Sequence, residues 1–207
     1  MSAAREEILA RVRAAIAPAR GSAPEVPRDY RTASADGIET FAERLHDYGA
    51  HTERVHAGAL DRAVRARLQA RGVRRLVVPE GVPEEWTVDV EALGDVPPLP
   101  FDALDLAGGA LTTCAVAIAQ TGTIVLDGSA GMGRRALSLV PDYLLCVVRA
   151  EQIASSVPEA IARLDPVAPL TFISGPSATV DIEMVRVAGV HGPRRLDVII
   201  ADRSGEA

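Results

Sequence analysis

The run DYLLCVV, residues 142–148, decides the fold class of this chain. An uninterrupted apolar run behind an aspartate is typical of a strand that is buried on both faces, as in a parallel sheet. Further runs of β-branched or aliphatic residues, bounded by Gly, Pro or Asp, share this character. They are ALTT (110–113), TGTIVLD (121–127), LTFIS (170–174) and LDVIIAD (196–202).

Helical patterns alternate with strand patterns along the chain. Apolar spacing predicts helices over residues 37–48, 60–70 and 151–164 and one helical turn over residues 102–106. It predicts further strands at residues 50–55, in RRLVVPE (74–80) and, more weakly, at residues 86–93. Asp36 with Glu39 three residues later resembles a capping box at the start of the first of these helices. The alternation predicts an α/β fold, a mostly parallel Rossmann-like sheet with helices on both faces.

The amino-terminal region differs from the rest. Residues 3–16 place apolar side chains at helical spacing between Arg and Glu and predict an amphipathic helix. A proline-rich linker follows, so we divide the chain into an arm with its linker, residues 1–33, and an α/β domain, residues 34–207. We expect the arm to pack on a partner or on a second copy of the chain, which would make a homo-oligomer.

Composition excludes several classes of protein. The net charge of −6 argues against a nucleic-acid protein, which would carry a basic face. All 22 basic residues are Arg, so neither Schiff-base catalysis by Lys nor a P-loop Lys is available. The amino terminus lacks a signal-peptide core, and no apolar run approaches the ~20 residues of a membrane span. We therefore expect a soluble, cytoplasmic protein.

The two cysteines, Cys114 and Cys146, lie in separate apolar runs. Neither belongs to a CxxC pair, and an ordinary iron–sulfur cluster requires four thiolates. We predict two buried thiols, no metal site and no cofactor on this chain.

Three motifs carry candidate binding residues. In AIAQTGTIVLDG (117–128), Thr121, Gly122 and Thr123 offer hydroxyls and backbone N–H groups to an anion or a carbonyl. The alternative is structural: a glycine required for close backbone approach, between two threonines that favour a strand.

The second motif, DGSAGMGRRALSLVPD (127–142), combines a flexible backbone at Gly131 and Gly133 with the guanidinium groups of Arg134 and Arg135. This combination suits a phosphate or carboxylate ligand, although it is neither a GxGxxG nor a P-loop pattern. The alternative is a mobile surface loop with solvated arginines.

The third motif is ISGPSATVDIEMVRVAGVHGP (173–193). Its ligand-binding candidates are Ser174, Gly175, Ser177 and Thr179, in a turn that we expect to end a strand and to cap a helical turn beginning near Ala178. Such a junction at the carboxyl edge of a parallel sheet is where α/β folds bind ligands.

Downstream of that turn lie the catalytic candidates Asp181, Glu183 and His191. The two carboxylates would serve as acid and base only if their surroundings shifted their protonation, and otherwise they pair with Arg or face solvent. A histidine between glycines is either catalytic or a hydrogen-bonding group that stabilises the turn. No catalytic residue can be assigned from spacing.

Taken together, the three motifs, in this order, resemble the LUD domain of the LutC/YkgG lactate utilization family over about residues 36–202. One departure is Gln120, where the family often carries an acidic residue. The resemblance implies a fold like the NagB/RpiA/CoA-transferase group. It also implies participation in oxidation of L-lactate to pyruvate, together with iron–sulfur and cysteine-rich partner proteins.

The leading hypothesis is thus a non-redox component of such a system that binds a small carboxylate or phosphorylated ligand. A second hypothesis is a stand-alone isomerase or transferase that acts on a phosphosugar or an acyl-CoA. A third is a pure assembly protein that docks through the arm.

Overall fold

A computed structural model describes residues 3–16, 25–180, 186–189 and 191–202. The chain divides into two compact units, Met1–Arg31 and Thr32–Ala207. The first contains helix α1 (Ala3–Ile16), at the position that the sequence predicts, and none of its residues is buried.

The second unit holds the remaining elements. Its helices are α2 (Ile38–Asp47), α3 (Leu60–Ala70), α4 (Phe101–Asp105), α5 (Ala136–Leu139) and α6 (Val157–Ala162). Its strands are β1 (His51–His56), β2 (Arg75–Val78), β3 (Glu91–Gly94), β4 (Ala110–Thr112), β5 (Val116–Ile118), β6 (Thr123–Leu126), β7 (Tyr143–Arg149), β8 (Ile153–Ala154), β9 (Thr171–Ile173), β10 (Ala178–Val180), β11 (Arg186–Ala188) and β12 (Arg195–Asp202).

The main sheet has six strands in the order β1-β12-β7-β4-β2-β3, and every pairing is parallel. Alternate residues of β7 point to opposite faces of the sheet and pack in different hydrophobic clusters, because side chains along a strand alternate with a period of two. Leu144 packs in the cluster that contains Phe41 of α2, whereas Leu145 packs in the cluster that contains Val64 of α3. The predicted α/β fold with a mostly parallel sheet covered on both faces is therefore confirmed.

A second sheet was not expected. It has four strands in the order β8-β5-β6-β9, with β6 antiparallel to both β5 and β9. The runs TGTIVLD and LTFIS therefore form strands of this mixed sheet and not of the parallel one. Strand β5, which the sequence analysis did not predict, is buried throughout. A short, fully buried apolar run has no alternation that would distinguish a strand from any other core segment.

Three local predictions were wrong in detail. The helix predicted over residues 151–164 is reduced to α6, which begins after the N-cap Ser156. The strand predicted over residues 86–93 is confined to β3, because Trp86 closes a short 3-10 helix. The capping box does not form: Gly37 is the N-cap of α2 and supplies no side-chain cap, while Glu39 pairs with Arg54 at 2.9 Å.

The segment after Pro176 also departs from expectation. Residues Ala178–Val180 form strand β10, paired with β11 in an antiparallel hairpin, so no helical turn begins near Ala178. The β-branched residues Thr179 and Val180, which follow Ala178, favour this extended backbone. The carboxylates Asp181 and Glu183 lie outside the described residues.

A buried carboxylate anchors strand β12 to helix α3. Asp197 is fully buried and accepts hydrogen bonds from Arg71, with Nε at 2.8 Å, and from the Tyr143 hydroxyl at 3.1 Å. Nε of Arg67 lies 3.9 Å from the same carboxylate. Burial, followed by the Asp197 charge, raises the pKa of Tyr143 well above its usual range, so this phenol stays a hydrogen-bond donor. The network satisfies a charge that would be costly to bury alone.

Both cysteines are buried, as predicted. Within the described part of the chain, no helix has the length and apolar character needed to span a bilayer.

Candidate functional site

Candidate binding residues line two cavities that both contact helix α5: Gly133 and Arg134 line one, and Ser174, Gly175 and Ser177 line the other. Leu137 of this helix lines one cavity, and Ser138 and Leu139 line the other. The second motif therefore contributes to both cavities, because α5 lies within it, whereas the third motif lines only the cavity beside Ser138 and Leu139.

The first cavity, which we call the serine cavity, has a volume of about 230 Å³. Its polar lining consists of Ser138, Thr171, Ser174, Ser177 and His191. Its apolar lining includes Leu139, Leu144, Phe172, Ile173 and Leu196. An apolar wall facing a few hydroxyl groups is typical of a small-molecule site.

The serine cavity lies at an unexpected end of the sheet. Leu144 and Leu196 are the second residues of β7 and β12, so the cavity opens at the amino ends of these strands. The expectation that Ser174 would mark the carboxyl edge of a parallel sheet was wrong. The reason is that β9, which precedes Ser174, belongs to the mixed sheet.

The two halves of the third motif meet at Ser177. Its backbone N–H donates to the carbonyl of Pro193 at 2.8 Å, and its carbonyl accepts from Gly189 N–H at 2.9 Å. Its hydroxyl accepts from the backbone N–H of His191 at 3.3 Å. Because that bond uses a lone pair and not the hydroxyl proton, Ser177 keeps a proton that it can donate into the cavity. Thr179 follows in β10, opposite Val187 of β11.

The first motif contacts the third through a chain of hydroxyl groups. Oγ1 of Thr121 lies 2.7 Å from Oγ1 of Thr123, and Oγ1 of Thr123 lies 2.8 Å from Oγ of Ser174. Thr123 is buried, whereas Ser174 is exposed at the cavity. The sequence identified these residues separately, and the structure brings them together.

Two glycines allow the turns that carry this hydroxyl chain to lie close to helix α2 and to Tyr48, the residue after it. Gly122 has a φ of +61°, and a Cβ there would lie 2.5 Å from Cβ of Arg44. Gly175 has a φ of +95°, and a Cβ there would lie 2.5 Å from Cβ of Tyr48. Glycine is required at both positions because the backbone is left-handed and the space is filled. The sequence analysis missed Arg44 and Tyr48, since no local pattern links them to loops so distant along the chain.

The second cavity, which we call the Arg134 cavity, has a volume of about 360 Å³. It lies at the carboxyl edge of the main sheet, beside Pro79 and Glu80 after β2 and Asp95 after β3. Its lining also includes Gly133 and Arg134 of the second motif.

The glycine-rich loop beside this cavity is engaged within the protein. Gly131 N–H donates to the carbonyl of Glu80 at 2.6 Å, and Gly133 N–H donates to the carbonyl of Ser129 at 3.2 Å. A Cβ at Gly131 would lie 2.5 Å from Oγ1 of Thr113. Both N–H groups therefore already have acceptors within the protein. A ligand-binding role for Gly131 and Gly133, which stays a prediction, would require these hydrogen bonds to break.

Arg134 forms a bidentate ion pair. Its Nε and Nη2 donate to Asp95 at 2.6 and 3.0 Å, and Nη2 also donates to the carbonyl of Leu99 at 2.6 Å. Burial alone would raise the pKa of Asp95, but the hydrogen bonds from Arg134 and from Leu99 N–H outweigh it and leave that pKa below its usual value. Arg134 is thus a structural cation in this conformation.

Arg135 contacts the serine cavity instead. Its Nε donates to Oγ1 of Thr171 at 3.2 Å and its Nη2 to the carbonyl of Leu170 at 2.8 Å. Since Thr171 lines the serine cavity, Arg135 is a cation bound to the wall of that cavity. The adjacent arginines therefore serve different cavities.

The Asp95–Arg134 pair predicts a pH-dependent stability. Asp95→Asn is expected to lower the free energy of unfolding at pH 7 by about 1–3 kcal/mol, because a charge-assisted bond is lost. The carboxyl pKa lies lower in the folded chain than the value of about 3.9 in the unfolded chain, so its stabilising effect is complete above that value. It is lost as the pH falls through the folded-state pKa.

Urea titrations at pH 7 and pH 3 check this expectation, with Asp89→Asn as a control that removes the exposed partner of Arg65. The difference between wild type and Asp95→Asn should narrow at pH 3, and the control should stay close to wild type at both values. A difference that widens in acid would contradict the assignment.

Comparison with known proteins agrees with this architecture. Residues 102–201 match the LUD domain. The chain is 47% identical over 203 residues, 95% of each sequence, to "Lactate utilization protein C" of Deinococcus radiodurans. It is 36% identical over 93 residues, 41% of this chain and 40% of the other, to "Uncharacterized protein YkgG" of Escherichia coli (strain K12).

A solved structure supports the fold. The crystal structure of a duf162 family protein from Deinococcus radiodurans is 43% identical and superposes with a TM-score of 0.67, covering 79% of this chain and 95% of that one. The identity and coverage of these matches confirm the expected family. The chain belongs to the lactate utilization protein C family of LUD-domain proteins.

Proposed function

We propose that this chain acts in lactate utilization, as the non-redox component of a cytoplasmic system that oxidises L-lactate to pyruvate with iron–sulfur and cysteine-rich partners. The observation that carries the proposal is the 47% identity, over 95% of both sequences, to a lactate utilization protein C. The arm and the α/β domain are both spanned by that match.

The state of the two thiols supports the non-redox assignment. Cys114 and Cys146 are 2% and 1% exposed. A hydrogen bond with Cys146, together with burial, raises the pKa of Cys114 well above its usual range. A protonated thiol inside the core is a poor ligand and a poor nucleophile, so electrons are proposed to pass through the partners.

The serine cavity supports the binding of a small carboxylate. Its volume of about 230 Å³ suits a compact organic acid. The hydroxyl groups of Ser174 and Ser177 would face the carboxylate, while Leu139 and Phe172 would contact the methyl group of lactate or pyruvate. A phosphorylated ligand would use the same hydroxyl donors, so the two ligand classes are separated by titration.

Growth tests the role in lactate utilization. Deleting the gene is expected to abolish growth on L-lactate while leaving growth on pyruvate intact, because pyruvate is the product of the proposed oxidation. Complementation with the wild-type chain should restore growth on L-lactate. Unimpaired growth of the deletion strain on L-lactate would overturn the proposed function.

Calorimetric titration tests the ligand site. Wild-type protein is expected to bind L-lactate, pyruvate or inorganic phosphate, and the double change Ser174→Ala with Ser177→Ala is expected to weaken binding at least about tenfold. Ser129→Ala, beside the Arg134 cavity, is the control and should bind as wild type. Weakening by the control alone would move the site to the Arg134 cavity.

A further inference from the structure

We infer that Thr123, which does not line the serine cavity, is a positioning residue that makes the Ser174 hydroxyl a hydrogen-bond donor to an anionic ligand oxygen. The inference rests on the proposed function of the serine cavity. It depends on the hydroxyl chain Thr121–Thr123–Ser174 and on the fact that only Ser174 of these three lines the cavity.

The register of the mixed sheet places Thr123 and Ser174 opposite each other. Strands β6 and β9 pair antiparallel with Ile124 opposite Ile173, so the next pair along the ladder is Thr123 and Ser174. Directly opposite side chains in an antiparallel pair lie close enough to interact. The 2.8 Å contact between their hydroxyl oxygens is therefore set by backbone geometry and not by loose loop side chains.

Because each hydroxyl has a single proton, the hydrogen bonds of the hydroxyl chain run in one of two directions. Thr123 has two described hydroxyl neighbours and only one proton, so if it donates to Ser174 it must accept from Thr121. In that arrangement the proton of Ser174 is free to point into the cavity. In the reverse arrangement the Ser174 hydroxyl donates its hydrogen bond to Thr123 and offers only lone pairs to the cavity.

An anion in the cavity selects the first arrangement, because an anionic oxygen accepts hydrogen bonds and repels lone pairs. Thr123 then holds Ser174 by accepting from one side and donating to the other. Ser177, whose hydroxyl already accepts from His191 N–H, offers a second donor at the same cavity. The specificity of the site is thus for an anionic oxygen, of a carboxylate or of a phosphate.

Helix α2 and the residue after it contact both turns that carry the hydroxyl chain. Gly122, between the two threonines, packs against Arg44, and Gly175, next to Ser174, packs against Tyr48. Since both contacts are with α2 and the residue that follows it, the threonine turn and the serine turn are held by one element. The hydroxyl chain is consequently pre-organised before a ligand arrives.

Matched threonine variants test the inference. In titrations with L-lactate, pyruvate and inorganic phosphate, Thr123→Val is expected to bind about tenfold more weakly than wild type. Thr123→Ser, which restores the hydroxyl, should recover most of that loss. Thr121→Val leaves the Thr123–Ser174 bond intact and should change binding by less than about threefold. A merely structural role of the loop would be disturbed equally by both valine variants.

A crystal structure of Thr123→Val provides a readout that needs no ligand. Ser174 is expected to leave the side-chain rotamer in which it meets position 123. If Thr123→Val bound the anions as tightly as the wild-type protein, or if Ser174 did not move, the inference would be overturned and the proposed ligand site would remain intact. Failure of the wild-type protein to bind any of the three anions would overturn the proposed ligand and the role of Thr123 together.

Discussion

Replacing Asp197 with alanine is expected to lower the free energy of unfolding by about 3–5 kcal/mol. The carboxylate is fully buried and is the shared acceptor of Arg71 and the Tyr143 hydroxyl, with Arg67 within ion-pair distance. Its removal leaves the Arg71 guanidinium and the Tyr143 phenol without this acceptor, whereas Arg67 keeps its ion pair with Glu53. The cost therefore comes mainly from the partners that remain.

Urea unfolding measures this loss, and Asp142→Ala is the matched control. Asp142 also pairs with two arginines, Arg194 and Arg195, but its side chain is 36% exposed. Solvent screens that pair, so the control should cost no more than about 1 kcal/mol. Equal losses in the two variants would show that burial does not set the strength of the Asp197 network.

Replacing Gly122 with alanine is expected to lower the free energy of unfolding by about 2–5 kcal/mol. A part of this, about 1–2 kcal/mol, is the cost of a left-handed backbone at a residue with a Cβ. The remainder comes from overlap, because the new Cβ would lie 2.5 Å from Cβ of Arg44 and 3.0 Å from the backbone N of Leu45. Overpacking of this kind typically adds about 1–3 kcal/mol.

Gly72→Ala separates the two contributions. Gly72 has a nearly identical φ of +66°, but a Cβ there would meet nothing within 4 Å. Thermal or urea unfolding of Gly72→Ala should show the conformational cost alone, and Gly122→Ala should lose clearly more. If the two variants lost the same stability, helix α2 would be yielding to the new methyl group.

Much of the fold follows from local pattern. The apolar run at residues 142–148 indicated a buried parallel strand, and β7 occupies an interior position of the main sheet. The helix predicted over residues 60–70 matches α3, whose apolar residues recur at helical spacing. These elements were predictable because one face or both faces of each pack in a core.

The mixed sheet was not predictable for a physical reason. Strand β5 has only three residues and is buried throughout, so it shows neither alternation nor a helical period. Strands β10 and β11 have three residues each, too few to show a period in the sequence. Local propensity cannot distinguish a parallel strand from an antiparallel one of the same composition.

The candidate site was likewise predictable only in part. The sequence identified Thr123 and Ser174 as polar residues next to glycines, but their contact joins positions on two strands that only the register brings together. It also identified Arg134 as a ligand-binding candidate without indicating Asp95, the partner that occupies its guanidinium. Residue type predicts what a side chain can do, and tertiary contact decides whether it is available.

The pairing of β1 with β12 governs the order in which this domain can fold. Residue His51 stands opposite Asp197, so an edge strand made early in translation gains its sheet partner only after nearly all of the domain has been synthesised. Because β12, the last strand of the described residues, also pairs with β7, it joins β1 to the rest of the sheet. Such long-range closure is typical of slow folding, and until it occurs the nascent chain exposes the edges of β1 and β7 that β12 will cover, which are open to aggregation.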